Sequence, residues 1–190
     1  PFVSEVMSKE HLEIALDHLD ILQVGSRNMQ NFELLKALGK SNKPILLKRG
    51  LSSTIEELIL AAEYIMAEGN ERVILCERGI RSYDQSTRNV LDLGAVAVLK
   101  QMTRLPVLVD PSHAAGRADI IPDLSRAAIA CGADGLIIEA HPVPERSVSD
   151  AKQALTLPEL CELINSLDGI ARAVGRSLPA PKRIPARKVA

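Results

Sequence analysis

Seven polar groups stand where short apolar runs give way to helix-like segments: Glu5, Arg27, Lys48, Arg78, Asp110, His113 and Glu139. Three of them, Arg27, Lys48 and Arg78, are cations delivered by separate runs in a chain whose formal net charge is −1. Cations concentrated in equivalent places against a neutral background point to a small substrate carrying two or three negative charges. Arg27 follows Gly25 and Ser26, a combination that lets backbone amides approach a phosphate while the guanidinium clamps it. His113, Glu139 and the later Asp150 offer one imidazole nitrogen and two carboxylate oxygens, a borderline donor set suited to Mn, Fe, Co or Zn.

Spacing alone leaves other readings of these residues open. Lys48 and Arg49 are adjacent, so alternation of side chains sends only one of them to any given face, and the pair also suits a solvated strand end. Glu77 can neutralise Arg78. His113 can be a packed, hydrogen-bonded histidine, Glu139 can pair with a cation, and Asp150 can cap a following helix.

The elements that position these groups follow from the pattern of apolar residues. The runs at 2–6, 21–24, 44–47, 72–76, 106–109 and 135–138 are β-branched and leucine-rich, as in strands buried on both faces of a parallel sheet. Their starts are about 19 to 34 residues apart, which suits strand–helix units. Between them, Ser8 is placed to cap a helix through Leu12 and Leu16, and Gly39 is placed as a left-handed stop after Leu34, Leu35 and Leu38. Thr54 and Glu57 form a capping box opening a helix that runs to Gly69. Further helices are predicted over 90–102, over 124–131 with Gly132 as the stop, and over 157–174. No glycine-rich dinucleotide fingerprint or phosphate-binding P-loop follows the strands, so a doubly wound nucleotide-binding sheet loses its main support. A (β/α) barrel, whose site residues come from the C-terminal ends of many strands, is the better fit.

Composition narrows the function. The 190 residues, 46% apolar and 25% charged, suit one globular domain. A net charge of −1, no Trp, two Tyr and two Phe give neither a field nor stacking platforms for nucleic acid. No run reaches the roughly 18 apolar residues of a membrane span, and no basic region followed by an apolar stretch marks the N-terminus. Three widely spaced cysteines, Cys76, Cys131 and Cys161, read as reduced thiols, so the chain is expected to be cytoplasmic.

The strings Asp20-Ile-Leu-Gln-Val-Gly-Ser-Arg-Asn-Met-Gln30, Leu46-Leu-Lys-Arg-Gly50, Ile74-Leu-Cys-Glu-Arg-Gly-Ile-Arg81, Leu108-Val-Asp-Pro-Ser-His113, Ile138-Glu-Ala-His-Pro142 and Ser149-Asp-Ala-Lys152 stand in one order over residues 2–174. With them the chain resembles the 3-deoxy-D-arabino-heptulosonate 7-phosphate (DAHP) synthases, in particular the smaller bacterial form also found fused to chorismate mutase. The resemblance implies a TIM (β/α)8 barrel that condenses phosphoenolpyruvate with erythrose 4-phosphate in the shikimate pathway of aromatic amino acid biosynthesis, using a divalent metal. Carried over string by string, it implies that Arg27, with Ser26, and Arg78 hold the phosphoenolpyruvate phosphate and that Lys48 sits at the carboxylate and reacting end. It implies metal ligation by His113, Glu139 and Asp150, and a place for Glu5 near the attacking water.

The chain also departs from that family. The family's first strand carries a metal-binding cysteine in a Gly-Pro-Cys-Ser context, and its second strand leads to a Lys-Pro-Arg-Thr string touching both substrates; neither string occurs in these 190 residues. Cys76 matches a family cysteine that is not a ligand. The expectation is therefore a partial barrel over residues 1–175 in which strands 3 to 8 are present and the first two βα units are missing, with three of four metal ligands and little or no synthase activity by itself. Exposed sheet edges are expected to be covered by a homo-oligomer or by complementation with an N-terminal segment. Residues 176–190, with five cations and three prolines, are expected to form a disordered basic tail. Two alternatives stand beside the synthase: the related 3-deoxy-D-manno-octulosonate 8-phosphate synthase, which the Leu46–Gly50 and Cys76–Ile80 strings disfavour, and a noncatalytic barrel fragment that binds anions or a partner subunit.

Overall fold

Residues 1–179 are described by a computed structural model, in which six parallel strands lie side by side in chain order. They are β1 (Val3–Glu5), β2 (Ile21–Val24), β3 (Ile45–Lys48), β4 (Val73–Glu77), β5 (Val107–Val109) and β6 (Gly135–Leu136). Between and after them run α1 (Lys9–His18), α2 (Phe32–Gly39), α3 (Ile55–Met66), α4 (Leu93–Met102), α5 (Pro111–Ala115), α6 (Ile121–Ala130) and α7 (Leu157–Ala173). Sequential parallel neighbours joined by helices are the organisation of a (β/α) half-barrel.

Register divides the sheet into two faces of different character. Leu22 pairs with Ile45, Ile45 with Val73 and Leu75 with Val107. These residues, with Val24, Leu47 and Val109, point into one core together with Leu35, Leu58, Ile65, Val96 and Leu99 of the helices. The alternate residues form the opposite face: Glu5 pairs with Gln23, Gln23 with Leu46, Lys48 with Cys76 and Cys76 with Leu108. Burial on both faces holds throughout β3, whereas β2 and β5 alternate between buried and half-buried residues. The uniform burial expected of every strand is thus restricted to the sheet centre, because no helix of the described residues is layered over the second face. The sheet edges are β1 and β6, and Phe2, Val3 and Met7 beside β1 are exposed. Ile121, Leu155, Leu163 and Leu167 form a second, smaller core that fastens α7 to α6.

Local chemistry explains where the helices begin and end. Ser8 accepts from the His11 amide, and both bonds of the Thr54–Glu57 capping box form. A second capping box, Thr156–Glu159, starts α7. Gly69 and Gly132, at φ +103° and +104°, stop α3 and α6 in the left-handed region, where glycine alone has no Cβ penalty. Two predicted starts move. The expected start at 90 becomes Leu93, because Asp92 caps α4 by accepting from the Ala95 amide while Val90 bridges Ile80. The expected start at 124 becomes Ile121, with a proline in the first turn, where its missing N–H is harmless.

Gly39 is the clearest correction. It lies inside α2 and does not have positive φ, so it is not a left-handed stop. A Cβ at this position would lie 2.4 Å from the Ile65 carbonyl oxygen and 2.8 Å from Glu68 Cβ, so glycine is there to let α2 approach α3. Gly39→Ala is expected to cost about 1–3 kcal/mol by forcing the two helices apart, read as a lowered urea midpoint. An unchanged midpoint would show that the helices separate freely.

Arg176, at the start of the expected tail, donates to the Gly132 carbonyl at 2.9 Å and pairs with Asp134. Residues 180–190, which hold the rest of that tail, lie outside the described residues. No helix among the described residues is long and apolar enough to cross a membrane.

Candidate active site and metal centre

The face without helices ends, at the C-terminal side of the strands, in a cavity of about 900 Å³. Glu5, Ser26, Arg27, Lys48, Arg78, His113, Glu139 and Asp150 all line it. These eight residues are therefore at one place in the fold, with Asp110 fully buried behind Lys48.

The strand register determines which cation faces in. Lys48 lies in a row with Cys76 and Leu108, and Arg78 and Asp110, two residues further along their strands, project to the same side. The Lys48 ammonium is 2.6 Å from Asp110 Oδ2, with both side chains buried. Arg49 points the other way. Its Nη1 donates to Glu77 Oε2 at 2.8 Å and to Asp92 Oδ2 at 2.9 Å, and its Nε donates to the Ser53 carbonyl. Glu77 is thereby committed to Arg49 on the helix side and is not the neutralising partner of Arg78.

Arg78 is left in an unusual state. The residue is only 6% exposed, yet its Nη1 is buried without a hydrogen-bond partner among the described residues. Burial pulls its pKa below the usual arginine range, because a desolvated cation is penalised. The turn that carries it is fixed from below: Glu77 Oε1 accepts from the Gly79 amide at 2.6 Å, and Gly79 has φ +89°. A Cβ on Gly79 would lie 2.8 Å from Asn89 Cβ and 3.0 Å from Ala114 Cβ, so the tight packing also requires glycine.

Arg27 sits on a 3-10 turn after β2, its Nη2 3.8 Å from Glu5 Oε1. That oxygen is buried and has no hydrogen-bond partner. A Cβ at residue 25 would be 2.0 Å from it, so Gly25 leaves space for the Glu5 carboxylate as well as for backbone approach to an anion.

Across the cavity, one donor atom each from His113, Glu139 and Asp150 lies within 4.8 Å of the others. His113 is held by α5, an element that its five-residue length hid in the sequence. Asp110 caps that helix by accepting from the His113 amide at 2.9 Å, and Gly116 ends it at φ +69°. The His113 ring places Nδ1 2.9 Å from Asp110 Oδ2 and Nε2 3.7 Å from Glu139 Oε2. Burial by itself raises the Asp110 carboxyl's pKa, but the bond from His113 and the charge of Lys48 outweigh it and hold the group below the usual aspartate range.

Glu139 accepts from Gln153 Nε2 at 2.9 Å, and its amide donates to Ser112 Oγ at 3.0 Å. Asp150 is the only non-glycine residue with positive φ among the described residues, at 53°. Its side chain makes no cap bond to the 3-10 turn that follows, and accepts instead from Arg88 at 3.1 Å. Cys76 is outside the donor cluster. It is fully buried, and desolvation pushes its thiol far above the usual range, so it stays protonated and unsuited to a metal.

Arg88, Asn89 and Gln153 belong to the site without having been singled out from the sequence. Arg88 and Asn89 lie in the polar loop before α4, and Gln153 is a buried residue of a 3-10 turn. No periodicity marks such positions. Arg81, also on the cavity wall, carried one signal: it closes the Ile74–Arg81 string.

A model of the DAHP synthetase I family matches residues 1–173. A phospho-2-dehydro-3-deoxyheptonate aldolase of Thermotoga maritima is 50% identical over 173 residues, which cover 91% of this chain and 51% of that protein. A 2-dehydro-3-deoxyphosphooctonate aldolase of Syntrophotalea carbinolica is 31% identical over 181 residues, covering 90% of this chain and 64% of the relative. Among solved structures, a truncated form of 3-deoxy-D-arabino-heptulosonate 7-phosphate synthase from Thermotoga maritima aligns with a TM-score of 0.91 at 48% identity, over 93% of this chain and 68% of that one. The chain thus spans about half the length of the heptonate relative, 51%, and about two thirds of the octonate relative, 64%.

Proposed function

The chain belongs to the DAHP synthetase I family, and on that premise we propose that its cavity serves the condensation of phosphoenolpyruvate, erythrose 4-phosphate and water to DAHP and phosphate. The observation that carries this reading is the arrangement of cations, Arg27, Lys48 and Arg78 among them, and a three-donor cluster around one cavity of about 900 Å³. Phosphoenolpyruvate presents a phosphate and a carboxylate on one carbon, C2, which is the charge pattern those cations match.

Arg78, with its unpartnered Nη1, is the main phosphate anchor, and Arg27 and Ser26 close on the same group from the next turn. Lys48 faces the carboxylate and the reacting carbon. Its ammonium, already ordered by Asp110, is oriented before substrate arrives. In the reaction, C3 of the enol forms a bond to the aldehyde carbon, whose C=O opens to a hydroxyl by taking up a proton; water oxygen adds to C2, the C2–O bond to phosphate breaks as C2 becomes a carbonyl, and the two water protons end on the new hydroxyl and on the released phosphate. Glu5, whose Oε1 has no hydrogen-bond partner among the described residues, is placed to accept the proton that the water loses. Charge building on the departing phosphate is offset by Arg27 and Arg78.

His113, Glu139 and Asp150 would hold a divalent ion, of Mn, Fe, Co or Zn type by donor chemistry. The three donor atoms lie within 4.8 Å of one another, near enough for the side chains to converge on one ion. When bound, such an ion supplies Lewis-acid polarisation of the aldehyde.

On the same reading the six strands are the third to eighth of a (β/α)8 barrel, and the β1 and β6 edges are surfaces covered by a second copy or an added segment. The three free cysteines accord with a reducing, cytoplasmic setting. The higher identity to the heptonate relative, 50% against 31%, favours the four-carbon over the five-carbon sugar phosphate.

Calorimetric titration tests the proposal. The parent chain is expected to take up one Mn²⁺ and one phosphoenolpyruvate, and Glu139→Gln to lose the Mn²⁺ uptake. Turnover by these 190 residues alone is expected near background, because they supply three metal donors and no Lys-Pro-Arg-Thr string. Failure of the parent to bind phosphoenolpyruvate at millimolar concentration would remove the basis of the reading.

A further inference from the structure

We propose that Asp110 is a positioning residue that fixes the tautomer and orientation of His113, so that Nε2 is the nitrogen presented to Glu139 and Asp150. This rests on the reading of the three residues as a metal centre and adds the group that prepares one of its ligands.

The geometry starts from the backbone. The Asp110 amide donates to the Glu77 carbonyl at 2.8 Å, so the residue is fixed to the end of β4 before its side chain makes any contact. Its carboxylate is completely buried. One oxygen accepts from the backbone amide of His113 at 2.9 Å, which closes the first turn of α5. The same carboxylate meets the ring at 2.9 Å from Oδ2 and 3.1 Å from Oδ1. A single group therefore determines both where the His113 backbone lies and how its ring is turned.

The remaining contact identifies the charge state. Lys48 Nζ is 2.6 Å from Oδ2, a separation typical of a charge-assisted bond between an ammonium and an ionised carboxylate. An ionised carboxylate only accepts, so the ring nitrogen facing it must carry the hydrogen. The neutral ring then has its lone pair on Nε2, which lies 3.7 Å from Glu139 Oε2 within the donor cluster. Histidine ligands are commonly set in this way, through a carboxylate on the far nitrogen. Lys48 belongs to the anion side of the cavity and His113 to the metal side, and Asp110 is, among the described residues, the one buried carboxylate in contact with both.

The test begins without any substitution. In metal-free protein labelled with ¹⁵N-histidine, a long-range ¹H–¹⁵N correlation distinguishes the tautomers, with His113 assigned by the signal lost in His113→Gln. The expected pattern is a hydrogen on Nδ1 and a bare Nε2; a hydrogen on Nε2 would overturn the proposal. In Asp110→Asn, whose amide oxygen can still cap α5, the single-tautomer pattern should be lost and Mn²⁺ affinity should fall about 10- to 100-fold. An unchanged pattern with unchanged affinity would also overturn it. Should Asp110→Asn not fold, the parent spectrum decides alone. A parent that shows the expected tautomer yet binds neither Mn²⁺ nor Zn²⁺ would uphold the role of Asp110 while removing the metal-centre reading.

Discussion

An Arg78→Met chain is expected to bind phosphoenolpyruvate about 30- to 150-fold more weakly than its parent, and to withstand urea at least as well. The first half follows from hydrogen bonds to a charged group, about 2–3 kcal/mol for an anchor of this kind. The second half follows from the state of the guanidinium: only 6% of the residue is exposed, and Nη1 is buried with no acceptor. Desolvating a cation costs free energy that nothing in the protein returns at that atom. Methionine keeps most of the apolar stem and discards the charge, so native stability should hold or rise while the anchor disappears. Calorimetry and urea unfolding measure the two halves separately. Intact binding, or a loss of several kcal/mol in stability, would mark Arg78 as a structural residue and contradict the reading of the cavity.

Arg49→Met is expected to behave in the opposite way, with a loss of stability of about 3–5 kcal/mol. Arg49 is bonded to Glu77 and Asp92 on the helix side of the sheet, and removing it strands the Glu77 carboxylate, which is fully buried. Burial already pushes Glu77 above the usual carboxylate range even with Arg49 opposing the shift. A carboxyl whose folded pKa exceeds its unfolded value of about 4.3 binds more protons in the native state. It therefore opposes folding increasingly as pH rises through that interval. Without Arg49 the interval widens, so the deficit relative to the parent should be largest near neutral pH and shrink toward pH 4 as Glu77 takes up its proton. Comparing variant and parent at each pH removes the reverse trend from Asp110, whose lowered pKa contributes stability that is lost as pH falls. Urea midpoints between pH 4 and 8 check the sign, and a deficit independent of pH would exclude Glu77 as its cause. Adding Glu77→Gln to Arg49→Met should recover part of the loss.

Arg49 and Arg78, whose neighbours Lys48 and Glu77 face the other way, thus have opposite expected consequences. Alternation along a strand states that Lys48 and Arg49 face opposite ways, and this much was legible in the sequence. It does not state which of them faces the cavity. That was decided by register: Lys48 lies beside Cys76 and Leu108, in the row that leads to Arg78 and Asp110, and the helices cover the other face.

Other features divide along the same line. The capping box at Thr54 and the stops at Gly69 and Gly132 were legible because their chemistry is complete within one turn of chain. Gly39 was misleading, since a glycine that ends a helix and one that admits a neighbouring helix look alike until α3 is placed against it. Asp150 was ambiguous between a helix cap and a ligand; in the structure its side chain makes no cap bond and lies instead against Arg88, near Glu139. Arg88 and Gln153 were silent, because a loop residue recruited to a site need obey no period.

The sequence by itself determined the strand–helix alternation, the family strings and the identity of the groups at the strand ends, because these depend on neighbours a few residues apart. Tertiary structure decided which groups share a cavity, which oxygen or nitrogen of each is already engaged, and which atom is left without a partner. Those outcomes depend on pairs far apart in the chain, such as Lys48 with Asp110 and Arg88 with Asp150, each separated by 62 residues. They arise only when parallel pairing brings the ends of separate strands to a common level.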